Sequence, residues 1–275
     1  MSATATYGRA PRATSSPAPW RRHLRLYGLE ARSELLKALR LPAYSLPTLA
    51  FPCVFYLFFG VAFGSHGVGT GSTTMATYLI ATNGAFGVLG ASLFGFGVGV
   101  ATERGQGWML VKRATPMPPA AYLAAKTAMS LLFGLIIVLL LTALGVAFGG
   151  VRMPLATWAG LAATLVAGAI PFCAMGLFLG YLAGPNSAPA IVNLVYLPLS
   201  FCSGLWIPVQ VLPPFLKHLA VYLPPYHFAQ LALHWLGADQ GGRVVVHVAA
   251  LVGFTVLFLA SARWAFLRDE GKTYG

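Results

Sequence analysis

Groups able to do chemistry are scarce in this chain, which holds six Asp and Glu, six His and three Cys in 275 residues. The densest polar segment runs Glu103-Arg104-Gly105-Gln106-Gly107-Trp108-Met109-Leu110-Val111-Lys112-Arg113-Ala114-Thr115-Pro116, and Tyr122 and Lys126 follow shortly after it. It is too long for a turn and too short for a domain. Its charges, its aromatic and its glycines suit a short helix presented to another protein, with a plain solvated loop as the alternative. His227 and His234, seven residues apart, offer two nitrogen ligands, too few to hold a zinc ion, so no metal site is expected. Gly90-Ala91-Ser92 is a formal Gly-x-Ser, but the one histidine within an apolar run is His247, in the first turn of the last run, at its outer end. Gly271-Lys272-Thr273 resembles the end of a phosphate loop, yet Phe266 stands where that loop needs its first glycine, so ATP binding by this chain is not expected. Cys53, Cys173 and Cys202 all fall in apolar stretches and read as small buried hydrophobes rather than a disulfide framework.

The elements that carry these groups follow from composition. The chain is 57% hydrophobic and 9% charged, against about 25% charged in an ordinary soluble domain. That few charges cannot cover a water-facing surface, so lipid must cover most of it. A hydrocarbon core about 30 Å thick takes ~20 apolar residues of helix to cross. Six apolar runs of that order stand out: Leu46 to Gly64, Met75 to Ala101, Ala121 to Phe148, Trp158 to Ala183, Ala188 to Trp206 and Val244 to Ala262. They are apolar on every face instead of alternating in short segments, which excludes a β-barrel. The expected fold is an all-α polytopic membrane protein with a permease domain over residues 44–268.

The formal charge of +12 could suggest nucleic acid, but its placement gives another reading. Lys and Arg number eight in the first 45 residues, four from Arg104 to Lys126 and three after Ala262, leaving only Arg152, Lys217 and Arg243 elsewhere. Six spans threaded from a cytoplasmic N-terminus put the first three groups on one side, as the positive-inside rule requires. The charge is then topology and contact with anionic membrane lipid, with no nucleic-acid partner. Both termini are expected in the cytoplasm, and no signal peptide is expected ahead of the first run.

Residues 1–19 are rich in Ala, Ser, Thr and Pro and are expected to be a disordered tail, as residues 269–275 are expected to be a short cytoplasmic tail. From Trp20 the pattern changes. Trp20, Leu24, Tyr27, Ala31, Leu35 and Leu39 step by three or four, with Arg21, Arg22, Arg25 and Arg32 between them. This predicts an amphipathic helix in the membrane interface over residues 20–43, broken from the first span by Pro42 and Pro47. Between the fifth and sixth runs, Pro208, Pro213, Pro214, Pro224 and Pro225 punctuate apolar stretches too short to span. These predict short outer-leaflet helices, with Tyr222, Tyr226, His227, His234 and Trp235 at headgroup level.

The pattern from Glu103 to Tyr122, Glu-Arg with a glycine four residues after the Glu, then Arg113, Thr115-Pro116 and Tyr122, resembles the cytoplasmic coupling loop of the type-2 ABC exporter permeases. So do Ser203-Gly204-Leu205-Trp206-Ile207-Pro208, Leu212-Pro213-Pro214 and Leu223-Pro224-Pro225. The chain departs from that family at Gly105, where a second Glu is usual, and after the last proline pair, where histidines replace an arginine. The resemblance implies the membrane half of an ATP-driven exporter in a bacterial cytoplasmic membrane. It implies a dimer with itself or a homologous permease and two copies of a separate ABC-type ATPase that binds ATP and Mg, while this chain binds no cofactor and is not catalytic. The ATPase would dock on Glu103, Arg104, Gly107, Lys112, Arg113, Pro116 and Tyr122, and on the helix bearing Trp20, Arg25, Tyr27, Arg32 and Leu35.

The substrate path is expected along Phe55, Phe59, Asn83, Phe86, Asn193 and Tyr196, aromatic and amide groups of spans near the dimer axis. Such an uncharged path favours an amphipathic or lipid-like substrate, a drug, antibiotic or glycolipid. The prolines at 208, 213, 214, 224 and 225 would frame an outer gate. Gly84, Gly87, Gly90, Gly95, Gly99, Gly176 and Gly180 allow close helix approach, within one subunit or across a dimer. An ion-coupled transporter is the main alternative, disfavoured because the six runs hold no Asp or Glu. An intramembrane hydrolase is weaker still, for want of a histidine base beside Ser92.

Overall fold

A computed structural model describes residues 19–62, 73–108 and 118–269. The tail expected before Pro19, the Lys112, Arg113 and Pro116 part of the coupling segment, and the Gly271 to Thr273 motif lie outside these residues.

Every described element is helical. Helix α1 spans Pro19–Leu39, and a turn at Arg40 and Leu41 separates it from α2, Pro42–Ala62. Pro42 occupies the first position of α2, where a missing N–H costs nothing. Pro47 does not end α1 as expected: it lies inside α2 with Pro52. The turns from Tyr56 to Ala62 that follow are of the wider π type, a common accommodation of an interrupted ladder. Helix α3, Met75–Gly105, starts on Thr74, whose hydroxyl accepts from the Thr77 N–H at 3.2 Å. It widens to π geometry over Phe94–Val98. Helices α4, Pro119–Ala147, and α5, Leu155–Leu182, follow. A short turn leads to α6, Ala188–Cys202. At the end opposite α1 lie two short helices, α7 (Pro214–Ala220) and α8 (Pro224–His234), each opening on a proline. Helix α9, Val244–Asp269, closes the described chain.

Five of these helices, α2, α3, α4, α5 and α9, are long and apolar enough to cross a membrane. Helix α6 has 15 residues, about 22 Å at 1.5 Å per residue, and is shorter than the Ala188 to Trp206 run because the chain turns at Ser203 and Gly204 (φ 77°).

Helix α3 is the axis of the bundle, with Ala76 and every residue from Tyr78 to Leu93 buried, packed by α2, α4, α5 and α8. The close approaches on its glycines lie within the protomer. A Cβ on Gly180 of α5 would stand 3.0 Å from the carbonyl oxygens of Phe96 and Gly97, so the backbones of α3 and α5 nearly touch. Helix α5 bends at Gly168, whose missing side chain leaves room for the Phe228 ring of α8. Helix α9 packs on α5 and α8 and turns most of its apolar surface outward.

Candidate functional site

Three charged side chains are buried together where α1, α3 and α4 meet. Glu103 in the last turn of α3, Lys126 in the second turn of α4 and Glu34 of α1 are 3%, 1% and 5% exposed. Lys126 Nζ donates to Glu103 Oε1 at 3.0 Å and to Glu34 Oε2 at 3.1 Å. Lys37, one turn beyond Glu34, donates to the same Glu103 oxygen from the half-exposed side. The Tyr122 hydroxyl donates to Glu103 Oε2 at 2.5 Å, and the Lys126 ammonium stands 5.2 Å from the Tyr122 ring centre. Among the described residues, two carboxylates and two ammoniums balance in charge. Taking charges out of water costs several kcal/mol each, and only such mutual pairing lets them stay buried.

The next two residues fasten the same helix end elsewhere. Arg104 Nη1 donates to the Gly180 carbonyl at 2.6 Å, near the C-terminal end of α5 where carbonyls carry partial negative charge. Its guanidinium lies 5.6 Å from the Tyr181 ring centre. Gly105 abuts Pro185 in the α5–α6 turn, so tightly that a Cβ would come within 2.5 Å of its ring. The Glu usual in the resembling family at position 105 has no room here. Glu103-Arg104-Gly105 thus joins the end of α3 to α1 and α4, to α5, and to the turn before α6. The chain then leaves α3 through Gly107, which adopts φ 74°, toward the exposed Trp108.

On α1, Arg25 and Arg32 are exposed and Tyr27 and Leu35 half-buried; Trp20 lies in the first turn. The face turned to the bundle overlaps the apolar stepping but is rotated from it: Tyr27, Ala31 and Leu35 are half-buried, Glu34 and Ala38 are buried and Leu39 is 46% exposed, with Glu34 paired to the buried Lys126 of α4. Sequence reasoning missed Glu34, Lys37 and Lys126 as site residues. The available signals were a lysine inside an apolar run and acids among the arginines of one helix.

The path candidates divide. Phe55 of α2 lies 5.5 Å from Phe59 and 6.1 Å from Phe86 of α3, ring centre to ring centre, and Phe86 stacks on Tyr196 of α6 at 4.8 Å. The Tyr196 hydroxyl donates to the Phe86 carbonyl at 3.2 Å. Trp206, not singled out from the sequence as a path residue, joins this cluster 5.1 Å from Phe55 and 5.5 Å from Phe86. Asn83 is closed within the protomer, and its Nδ2 has no hydrogen-bond partner among the described residues. Asn193 is exposed and borders a cavity of about 650 Å³ between α1, α2, α3 and α6. That cavity runs from Glu34, Lys37 and Glu103 at the α1 end to Phe51 and Tyr196 deeper in.

At the opposite end, Pro208 precedes a single 3-10 turn at Val209–Val211, Pro213 and Pro214 start α7, and Pro224 and Pro225 start α8. Tyr222 is 76% exposed and Trp235 45%, while Tyr226 and His227 are buried. His227 faces His247 of α9, and His234 faces Asp239.

A family model described as ABC-2 type transporter matches residues 26–236. The chain belongs to the ABC-2 type transporter family. The match begins within α1 and ends just past α8, taking in the buried charge cluster, the cavity and the α6–α8 segment. As an ABC-2 type protein the chain is a multi-pass membrane subunit of an ABC transporter, a transport subunit whose family implies association with an ABC ATPase. A Bacillus subtilis (strain 168) protein named "Putative transport permease YvfS" is 26% identical over 238 residues, covering 86% of this chain and 96% of that protein.

Proposed function

We propose that the chain is the permease of an ATP-driven exporter in a bacterial cytoplasmic membrane, that it dimerises with itself or a homologous permease, and that each copy docks one ATPase subunit. Both termini and the α1 end are cytoplasmic, and α6 with the turn after it makes a sixth crossing. The observation that carries this reading is the end of α3, where Glu103, Arg104 and Gly105 each fasten a different neighbour immediately before the segment that resembles a coupling loop. A push on that segment would reach α1, α4, α5 and α6 together. Closure of two ATPases around ATP, which with Mg binds on those subunits and not on this chain, then becomes a rigid-body movement that opens a path between the protomers outward.

The cavity supports an amphipathic or lipid-like substrate of the drug, antibiotic or glycolipid class, because its polar groups gather at the α1 end and aromatic walls lie beyond them. Among the described residues the buried Asp, Glu, Lys and His lie at the two ends of the bundle, Glu34, Glu103 and Lys126 at the α1 end and His227 at the other, rather than midway along the spans, which speaks against ion coupling. The test uses the chain co-purified with its ATPase. The chain alone should hydrolyse no ATP, and Glu103→Ala combined with Arg113→Ala should release the ATPase or leave its hydrolysis unlinked to transport. Normal export by that double variant would overturn the docking assignment.

A further inference from the structure

The prolines at 224 and 225 start α8, and one turn later His227 meets the first turn of α9. His227 Nδ1 and His247 Nδ1 are 2.9 Å apart, with ring centres at 5.2 Å. At that distance one nitrogen carries a hydrogen and the other accepts it. The contact survives the first proton, because an imidazolium still donates to a neutral ring. It cannot survive the second, when two donors and two positive charges face each other. We propose that this histidine pair is a proton-sensitive latch that holds α8 against α9 and releases it when both rings are protonated.

The surroundings suit that role. The segment between the two helices turns on Gly237, Gly241 and Gly242, all with positive φ, so α8 can part from α9 without distorting either. The segment is also tied by the Gln240 N–H donating to Gln230 Oε1 at 2.7 Å, the Thr73 hydroxyl donating to the Leu236 carbonyl at 3.3 Å and Trp235 Nε1 donating to Thr164 Oγ1 at 2.8 Å, none of which titrates in acid. Asp239, the one carboxylate at this end among the described residues, acts on His247 and also faces His234 at 3.5 Å. Tyr226 of α8 lies 6.2 Å from the His247 ring, and Tyr78 of α3 faces Tyr226; both phenols stay neutral in acid. The backbone of Val221 acts on His227 in the opposite sense, favouring its charged form. Burial, with His247 beside it, holds His227 below its ordinary value, so release falls on the acid side of about pH 6.5. His227 binds a proton less readily in the latched form than when freed, so the latched form is favoured at neutral pH and loses its advantage as pH falls.

The latch concerns contacts within one chain and stands without the export reading, which adds only that this end faces outside. It is tested by hydrogen exchange over residues 224–243 in the protein reconstituted in lipid nanodiscs, corrected for intrinsic rates, from pH 7.5 to 5. The expected result is a several-fold rise in acid, where both rings are protonated and repel. His247→Gln, which can still donate but cannot charge, should flatten the rise, and His227→Gln should do the same if the first variant folds poorly. An unchanged wild-type rate, or an undiminished rise in both variants, would overturn the latch while leaving the ATPase-docking test untouched.

Discussion

Replacing Lys126 with methionine isolates the buried charge cluster, because Met fills most of the lysine's volume and removes only its charge and hydrogen bonds. Lys126 is 1% exposed and serves Glu103 at 3.0 Å and Glu34 at 3.1 Å. At an effective permittivity of about 20, each such pair is worth roughly 5 kcal/mol of gross attraction before desolvation. The variant leaves the two buried carboxylates sharing, among the described residues, the half-exposed ammonium of Lys37. Removing one partner of a buried pair typically costs about 3–5 kcal/mol; with Lys37 still present the lower figure applies. At ~2–4 °C per kcal/mol for a chain of this size, Lys126→Met should melt about 6–12 °C below the parent in detergent. Adding Glu34→Gln returns the cluster to one acid and one base, and the double variant should recover more than half of that loss. A single variant within about 2 °C of the parent, or a double variant no better than the single, would refute the reasoning that mutual pairing holds these charges inside.

Two further outcomes follow from helix contacts. Gly180→Val would press a branched side chain against the Phe96 and Gly97 carbonyls, 3.0 Å from its first carbon; backbone cannot step aside, so a loss of about 1–3 kcal/mol should appear as a lower melting temperature. Gly168→Ala would place a methyl 2.0 Å from the Phe228 ring and should also lower the melting temperature, and Phe228→Leu in the same chain should restore most of the loss if that ring is the obstacle.

The spans were legible because lipid leaves a sequence signature that needs no tertiary information: the apolar runs at 75, 121, 158 and 244 each became a long helix. The limits of α2 and α6 were less so. Pro47 reads as a break but is carried inside α2, and the run through Trp206 outlasts α6, since hydropathy does not register the turn at Gly204. The coupling segment stood out by its polarity, while the partners of Glu103 did not. Lys126 lies 23 residues away and Glu34 lies 92 residues from Lys126, so no local spacing links them. Periodicity assigned the face of α1 by apolar content, and the buried ion pair at Glu34 rotated it away from Leu39 while Tyr27, Ala31 and Leu35 stayed half-buried. The histidines at 227 and 234 looked like a pair along the chain, but folding gave each a different partner.

Gly105 and Pro185 occupy one space between them, and the pair therefore behaves as a single size constraint spread over two distant positions. A relative that carries the longer acidic side chain at the first position needs a smaller residue or a displaced turn at the second. Neither residue can drift alone, so the two positions should change together or not at all as the lineage diverges.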